Sequence, residues 1–308
     1  MNKAYSDMFK KDHLTLGIFT PIESYPGSIP TMKNQNNLIK KVEAYGFSTI
    51  WVRDIPLHDP TFGDAGQMFD PFIYLSYLAS FTSTISLATA SIILPFRHPI
   101  EIAKSIESIN NLSQGRFVLG MATGDRPVEY EAHNIDFSQR GEIFRDTISY
   151  MKVLTQKSFP SITSKMGSIQ HTDLLPKSNY GRVPLLVTGH SQQSMQWIAQ
   201  HSDGWIYYPQ NISTQEQRVL QWSKQLNNTF KPFLQSLYID LDKNPDAKPT
   251  PIHLGFKLGR NSLIELLKNL QIIGVNHVIL NLKYSKRNAE EIIDELGKYV
   301  LPYFKVNL

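Results

Sequence analysis

Apolar and polar residues alternate along this chain with two different periods. Short runs rich in β-branched residues are followed by stretches in which apolar residues recur every three or four positions. This is the pattern of parallel strands joined by helices. The short runs predict strands at residues 16–20, 49–53, 85–90, 117–122, 185–188, 204–207, 237–241 and 277–282. Eight strands suit an α/β fold of the (β/α)8 TIM barrel type, although an open doubly wound sheet would give the same local pattern.

The predicted helices have recognisable boundaries. Asp70 and Pro71 predict an N-cap followed by proline at the first helical position, for a helix that ends near Phe81. Further helices are predicted at residues 32–46, 100–109, 143–154, 195–200, 214–226, 263–270 and 292–300. We interpret residues 1–308 as a single domain, because no shift in composition divides the chain.

Three segments do not follow the repeat. Residues 54–69 form a connection too long for an ordinary loop, so we expect a functional role for it. Residues 159–182 contain prolines and polar residues without periodicity, which predicts an insertion with room for a small hairpin. Residues 1–13 are polar, and we expect a flexible or peripheral N-terminal segment there.

Composition narrows the possible functions. The chain has no cysteine, which excludes disulfides, thiolate nucleophiles and cysteine metal ligands. Its net charge of +4 is spread over 308 residues without basic clusters, so we do not expect nucleic-acid binding. The histidines are unclustered, so no metal site is expected. No apolar run is long enough to cross a bilayer and the start lacks a signal peptide, so we expect a cytoplasmic protein with no membrane contact.

Three segments carry a specific resemblance. Residues 85–99 read ISLATASIILPFRHP, residues 111–125 read NLSQGRFVLGMATGD, and residues 183–205 read VPLLVTGHSQQSMQWIAQHSDGW. In this order they resemble the bacterial luciferase-like monooxygenase family: a small-residue kink, a Leu-Pro-x-x-His-Pro turn, a Ser-x-Gly-Arg-Phe turn, and a phosphate-binding turn before Asp-Gly-Trp. The resemblance extends from Leu14 to about Phe304.

The resemblance implies a luciferase-like TIM barrel with insertions that works as a flavin-dependent oxidoreductase. The implied reaction uses reduced FMN and molecular oxygen on a small organic substrate. No G-x-G-x-x-G follows a strand, which favours a partner flavin reductase over a built-in nicotinamide site. A homodimer is expected. Two alternatives stay open: an oxidoreductase that uses the deazaflavin coenzyme on the same fold, and a non-catalytic flavin-binding protein.

The resemblance also assigns residues to the flavin ring. The kink corresponds to Thr89, Ala90 and Ser91, where relatives press a non-proline cis peptide against the ring. We therefore predict a cis bond between Ala90 and Ser91. A simple β-bulge at the rim of the barrel is the alternative interpretation of the same residues.

A second group of residues is assigned to the flavin phosphate. A helix that begins near Ser191 would offer free N–H groups and a positive dipole end to this anion. Thr123 and His190 stand where luciferase has an arginine and a glutamate. Arg126 could replace the missing charge, and it could equally be a surface arginine or one that binds substrate. The predicted phosphate residues are Thr123, Gly124, Gly189, His190, Ser191 and Gln192, and Thr188 is a further predicted cofactor-binding residue.

Arg53 and Asp54 are the candidate catalytic residues. They follow the second predicted strand, where luciferase has its histidine, and barrel enzymes place their chemistry at the carboxyl ends of strands. Asp54 could act as a base or bind substrate. An ion pair of Asp54 with Arg53 or Arg97 that shapes the rim explains the same residues equally well.

Overall fold

Eight parallel strands close into a ring. The computed structural model describes residues 1–62 and 66–305. Each strand of the ring pairs in parallel with the next, and the last pairs with the first. The strands are β1 (Thr15–Phe19), β2 (Thr49–Val52), β3 (Ser86–Thr89), β4 (Phe117–Ala122), β5 (Leu185–Thr188), β6 (Gly204–Tyr207), β7 (Phe233–Leu241) and β8 (His277–Asn281). The predicted (β/α)8 barrel is confirmed, and the open sheet is excluded because β8 pairs with β1.

Helices surround the ring and bury one apolar face each. In chain order they are α1 (Lys3–Met8), α2 (Gln35–Tyr45), α3 (Pro71–Ala79), α4 (Pro99–Leu112), α5 (Pro127–Ala132), α6 (Arg140–Gln156), α7 (Met195–His201), α8 (Ile212–Gln225), α9 (Arg260–Ile272) and α10 (Ala289–Glu295). Asp70 caps α3 as predicted, because its carboxylate accepts from the N–H groups of Phe72 and Ile73. No helix in the described part of the chain is long and apolar enough to span a membrane.

The interior of the barrel is filled by one buried side chain from each strand. Because side chains alternate across a strand, these residues form a packed cluster separate from the one between strands and helices. The eight residues are Phe19, Trp51, Ala88, Val118, Leu186, Ile206, Leu234 and Ile279. This packing fills the barrel below its upper rim.

A buried hydrogen bond crosses the lower barrel. Trp51 Nε1 donates to His277 Nε2 at 3.0 Å. Gly17 makes room for it, since a Cβ there would lie 2.7 Å from His277 Nε2 and 2.8 Å from Trp51 Nε1. Burial lowers the pKa of His277 to about 3, which keeps the ring neutral and able to accept this bond.

The N-terminal segment differs from the prediction for residues 1–13. Ala4, Met8 and Phe9 are buried in the interior cluster of the barrel, so this segment is not peripheral. Asn2 Nδ2 donates to Asn110 Oδ1 at 2.8 Å and to the Phe117 carbonyl at 2.6 Å. The sequence did not predict this burial because the segment is mostly polar. Helix α1 has only a short apolar stripe, which covers the bottom of the barrel.

Two excursions leave the ring. The predicted insertion at 159–182 holds a two-stranded hairpin, Ile162–Ser164 with Gly167–Ile169. The seventh strand begins at Phe233, before the predicted start at Leu237. Its carboxyl-terminal part, from Tyr238 to Leu241, pairs with a second hairpin, Thr250–Ile252 with Gly255–Leu258. The strand start was missed because Gln235 and Ser236 interrupt the apolar run. Residues 63–65 of the predicted functional loop lie outside the described residues.

The Ser-x-Gly-Arg-Phe turn has a structural role at the bottom of the barrel. Arg116 is buried, and its guanidinium donates to the carbonyls of Ser113, Ile85 and Thr82 and to the Thr82 hydroxyl. These bonds join the turn before β4 to the turn before β3. The motif therefore locks the register of two adjacent strands on the side of the barrel opposite to the cavity.

One buried acid on α4 has an oxygen without a partner in the described part of the chain. Glu107 is 2 % exposed, and its Oε2 makes no hydrogen bond there. Burial raises the pKa of Glu107 from 4.5 to about 7, against smaller opposing effects of a hydrogen bond from the Ser178 backbone and of the Lys177 charge. Since the folded pKa exceeds the unfolded one, the folded state is favoured below pH 4.5 and loses this contribution as the pH rises to about 7.

We therefore expect Glu107→Gln to flatten the pH dependence of stability. At pH values near 8 the variant should be more stable than the parent by about 1 to 3 kcal/mol, because no charge is buried. Urea unfolding at acidic and alkaline pH measures the difference. Exposed Glu131→Gln is the control and should keep the parental slope. An unchanged slope in Glu107→Gln would show that this acid is ionised in the folded protein.

Candidate functional site

A cavity of about 670 Å³ opens at the carboxyl ends of the barrel strands. Its floor is formed by Phe19, Ile206 and Ile279 of the packed interior layer, and its walls come from the segments that follow β2 to β7. Both candidate catalytic residues line it, and so does each predicted cofactor residue except Thr89. The lining residues that sequence reasoning had named are Arg53, Asp54, Ala90, Ser91, Thr123, Gly124, Arg126, Thr188, Gly189, His190, Ser191 and Gln192.

The kink after β3 is a bulge that contains a cis peptide. Leu87 and Ala88 pair with β4, and pairing resumes only at Ile92, so three residues face two on β4. The peptide bond between Ala90 and Ser91 is cis, as predicted. The segment is therefore both a bulge and the place of the predicted cis bond, since the cis bond lies inside the bulge. Small side chains at these two positions leave the backbone exposed to the cavity.

Thr89 lies behind the cavity and does not line it. Its hydroxyl donates to the Gly120 carbonyl at 2.8 Å and accepts from the Gly120 N–H at 3.0 Å, and the residue is fully buried. A Cβ on Gly120 would overlap the Thr89 carbonyl oxygen. The geometry therefore gives Thr89 a structural role, which is to hold the bulge against β4.

Asp54 forms the ion pair that the sequence left as an alternative. Its carboxylate makes two hydrogen bonds with the Arg97 guanidinium, the one from Nη2 at 2.9 Å, and accepts from the Ile93 N–H at 3.0 Å. Burial raises the pKa of Asp54, and the Arg97 charge opposes this rise. Since its oxygens are occupied, the geometry favours a role in fixing the segment after the bulge. Arg53 lies in the cavity wall over the Phe19 ring, 5.7 Å from the centroid.

A tight turn after β5 forms the opposite wall. Gly189, Ser191 and Gln192 all have positive φ angles, of 57°, 45° and 58°. The backbone N–H groups of His190, Ser191 and Gln192 have no acceptor in the described part of the chain. Successive free N–H groups in such a turn form a concave site for an anion. We call residues 189–193 the anion turn.

The helix that follows begins later than predicted. Helix α7 starts at Met195, with Ser194 as its N-cap, so its N-terminus is not at Ser191. Ser191 instead stabilises the anion turn, because its hydroxyl donates to the Thr188 carbonyl at 2.8 Å. The free N–H groups that the sequence predicted at a helix end belong to the turn, where left-handed backbone angles point them away from the helix.

Helix α6 packs directly on the anion turn. The Gly141 carbonyl accepts from Gln193 Nε2 at 2.9 Å, and a Cβ on Gly141 would lie 2.7 Å from the Cβ of Gln192. This approach brings Arg140 to the wall of the same cavity. Its guanidinium stacks on Phe137 at 3.8 Å from the ring centroid.

Sequence reasoning missed Arg140 and several aromatic residues of the cavity. Arg140 precedes a predicted helix and follows no strand, so no local signal indicates its proximity to the anion turn. The aromatic rings come from strand ends and loops that are far apart in the chain. They are Phe19, Phe62, Phe137, Tyr207, Tyr208 and Tyr238.

The chain was compared with proteins of known sequence. The family model for luciferase-like monooxygenases matches residues 14–231. The uncharacterized protein Rv0953c of Mycobacterium tuberculosis is 30% identical over 190 residues, which cover 56% of this chain and 67% of that protein. The alkanal monooxygenase alpha chain of Photorhabdus luminescens is 22% identical over 160 residues, 52% of this chain and 43% of that one.

The fold was compared with solved structures. An F420-dependent secondary alcohol dehydrogenase in complex with an F420-acetone adduct has a TM-score of 0.77 at 14% identity, with 96% of this chain and 100% of that chain covered. The oxygenating constituent of 3,6-diketocamphane monooxygenase of Pseudomonas putida, in complex with FMN, has a TM-score of 0.72 at 12% identity, with 96% and 99% covered. At these identities the likeness concerns the fold.

Proposed function

The chain belongs to the luciferase-like monooxygenase family, and from this premise we propose that it is an FMN-dependent monooxygenase acting on a small organic substrate. It would use reduced FMN and molecular oxygen. The family and its members named above make it an enzyme of the luciferase-like type. The cofactor, the oxygen chemistry and the supply of reduced flavin are the parts we propose.

The observation that carries the proposal is the division of one cavity into two complementary walls. One wall is backbone with small side chains at Ala90 and Ser91, which leaves room for contact with a planar ring. The other is the anion turn, with its three free N–H groups. FMN has a planar ring at one end and a phosphate dianion at the other, so the residues present fit this cofactor. When bound, the flavin supplies the oxidation and oxygen chemistry.

The phosphate end would be held by backbone donors and one arginine. The N–H groups of His190, Ser191 and Gln192 face an anion without a change of conformation, and Arg140 would add the positive charge. Thr123 contributes to the same wall, since its N–H lies 3.4 Å from the Ser191 hydroxyl. This arrangement supports a phosphate site in the absence of an arginine at position 123.

The remaining wall would bind the substrate and exclude water. Phe19, Phe62 and Tyr238 give it an aromatic lining, and Arg53 and Ser236 add polar groups. Apolar walls with a few polar groups are typical of sites for small organic ligands. We propose that Arg53 orients the substrate, while Asp54 holds the ring-binding segment in place.

A partner reductase would supply the reduced FMN. The described chain forms one barrel around one site, and no G-x-G-x-x-G follows any of its strands. The deazaflavin coenzyme is the alternative, because a neighbour of the same fold uses F420. That coenzyme would transfer hydride without oxygen, so the two proposals differ in their products.

The experiment that tests the function combines binding with isotope labelling. We expect the purified protein to bind FMN and, with reduced FMN from a reductase, to place one atom of labelled dioxygen in a product of a substrate panel. The panel should contain aldehydes, alkanes and sulfonates. If the protein bound only the deazaflavin coenzyme, and transferred hydride without placing labelled oxygen in a product, our proposal would be wrong and the deazaflavin alternative correct. FMN binding without any labelled product across a broad panel would favour the non-catalytic alternative.

A second prediction concerns the phosphate. Arg140→Ala should weaken FMN binding by about 1.5 to 3 kcal/mol through loss of charge-assisted bonds, while riboflavin, which lacks the phosphate, should bind as before. Isothermal titration with both ligands measures the ratio of the Kd for riboflavin to the Kd for FMN. Arg126→Ala is the matched control, because Arg126 stacks on Phe62 at 4.2 Å in the same cavity. If Arg126→Ala lowered the ratio and Arg140→Ala did not, the phosphate would belong to Arg126.

We propose a homodimer through the face of α2 and α3. A second cavity of about 690 Å³ lies there, and Phe69, Ile73 and Tyr77 expose 52%, 72% and 49% of their surface. A contiguous apolar patch of this kind is typical of an interface between identical subunits.

Sedimentation velocity should show a dimer that Ile73→Asp dissociates. Ile272→Asp, at a residue of α9 with 79% exposure, should stay dimeric; a monomeric parent would refute the proposal.

A further inference from the structure

A tryptophan whose side chain lies on the outer face of a barrel strand supports the anion turn from the side opposite to the cavity. Trp205 on β6 is fully buried, and its indole Nε1–H donates to the Gly189 carbonyl at 2.6 Å. The Gly189 N–H donates to the Ile206 carbonyl at 2.8 Å. Both backbone polar groups of Gly189 are thus bound to one strand, so this glycine is fixed to β6.

The geometry of the peptide plane transmits this constraint to the cavity. The Gly189 carbonyl and the His190 N–H belong to one planar trans peptide unit and point in opposite directions. Because Trp205 holds the carbonyl outward, the His190 N–H must point away from Trp205, toward the cavity that His190 lines. The indole thereby sets the direction of the first free donor of the anion turn.

The indole itself has little freedom to move. Its ring packs against Tyr207, Trp222 and Phe233, with centroid distances of 4.7, 5.4 and 5.5 Å. Gly204, which precedes it, has no room for a Cβ, because one would lie 2.8 Å from Leu186 Cδ2 and 3.0 Å from the Pro232 carbonyl. A donor held this firmly can fix the orientation of its acceptor.

We propose that Trp205 is a positioning residue for phosphate binding, which acts through the Gly189–His190 peptide without touching the cofactor. This inference rests on the proposed FMN function. It assigns a purpose to the tryptophan of the Asp-Gly-Trp segment beyond packing. The role requires the N–H of the indole, so an aromatic ring of similar shape without that donor would not perform it.

The test compares phenylalanine substitutions of two buried tryptophans, of which only Trp205 donates to the anion turn. Trp205→Phe removes the donor to the anion turn. Trp222→Phe is the matched control, since Trp222 is also buried and donates from Nε1 to the Lys231 carbonyl at 3.1 Å, away from the cavity. FMN and riboflavin are titrated into parent and variants, and the phosphorus NMR signal of bound FMN is recorded.

We expect Trp205→Phe to raise the Kd for FMN by about fivefold to thirtyfold, as for a buried acceptor left unpaired. The Kd for riboflavin should change by less than about twofold, because riboflavin makes no phosphate contact. The phosphorus signal should shift in Trp205→Phe alone. Trp222→Phe should leave the ratio of the two Kd values at its parental level.

The possible failures are distinguishable. If the parent binds FMN no more tightly than riboflavin, the proposed phosphate site is wrong. If the parent prefers FMN and Trp205→Phe keeps that preference, or loses affinity for both ligands equally, the positioning role is wrong. Should Trp205→Phe not fold, replacement of Trp205 by benzothienylalanine, which has sulfur in place of the N–H, preserves the ring shape and tests the same ratio.

Discussion

Closure of the parallel strand ring is the constraint on which the rest of the structure depends. Once eight strands pair in one direction, all their carboxyl ends meet at one rim, and alternate side chains of every strand point into the ring. The lower inward positions pack as one layer from Phe19 to Ile279, and α1 covers that layer from below. The inward positions above the layer have no such partners, and they become the cavity.

The cavity is shaped by groups that do not line it or that face away from it. Thr89 and Gly120 interlock behind the bulge, Arg97 holds Asp54, and Trp205 binds Gly189 from the helix side of the wall. Backbone surfaces can recognise a planar ring or an anion only if their peptide planes are fixed. Each supporting contact fixes one such plane.

The two ends of the cavity also differ in their electrostatics. The anion turn presents free N–H groups and lies beside Arg140, while the acid at the other end, Asp54, is neutralised by Arg97. In the proposed function, the phosphate dianion of FMN would bind at the anion turn, and the surface at Ala90 and Ser91 would be left to the uncharged ring.

The sequence by itself determined the repeat of strands and helices, the family, and twelve of the residues that line the cavity, because periodicity and short motifs are local properties. It also located the cis peptide between Ala90 and Ser91, through the resemblance. It could not separate a closed barrel from an open sheet, since the pairing of β8 with β1 joins residues more than 250 positions apart. Tertiary structure alone likewise decided four other features. They are the place of α1, the partner of Asp54, the turn in place of a helix at Ser191, and the approach of Arg140 to that turn. In each of these cases the outcome depends on which distant residues pack against a segment, form its hydrogen bonds or neutralise its charge. The neighbouring residues in the chain do not indicate those partners.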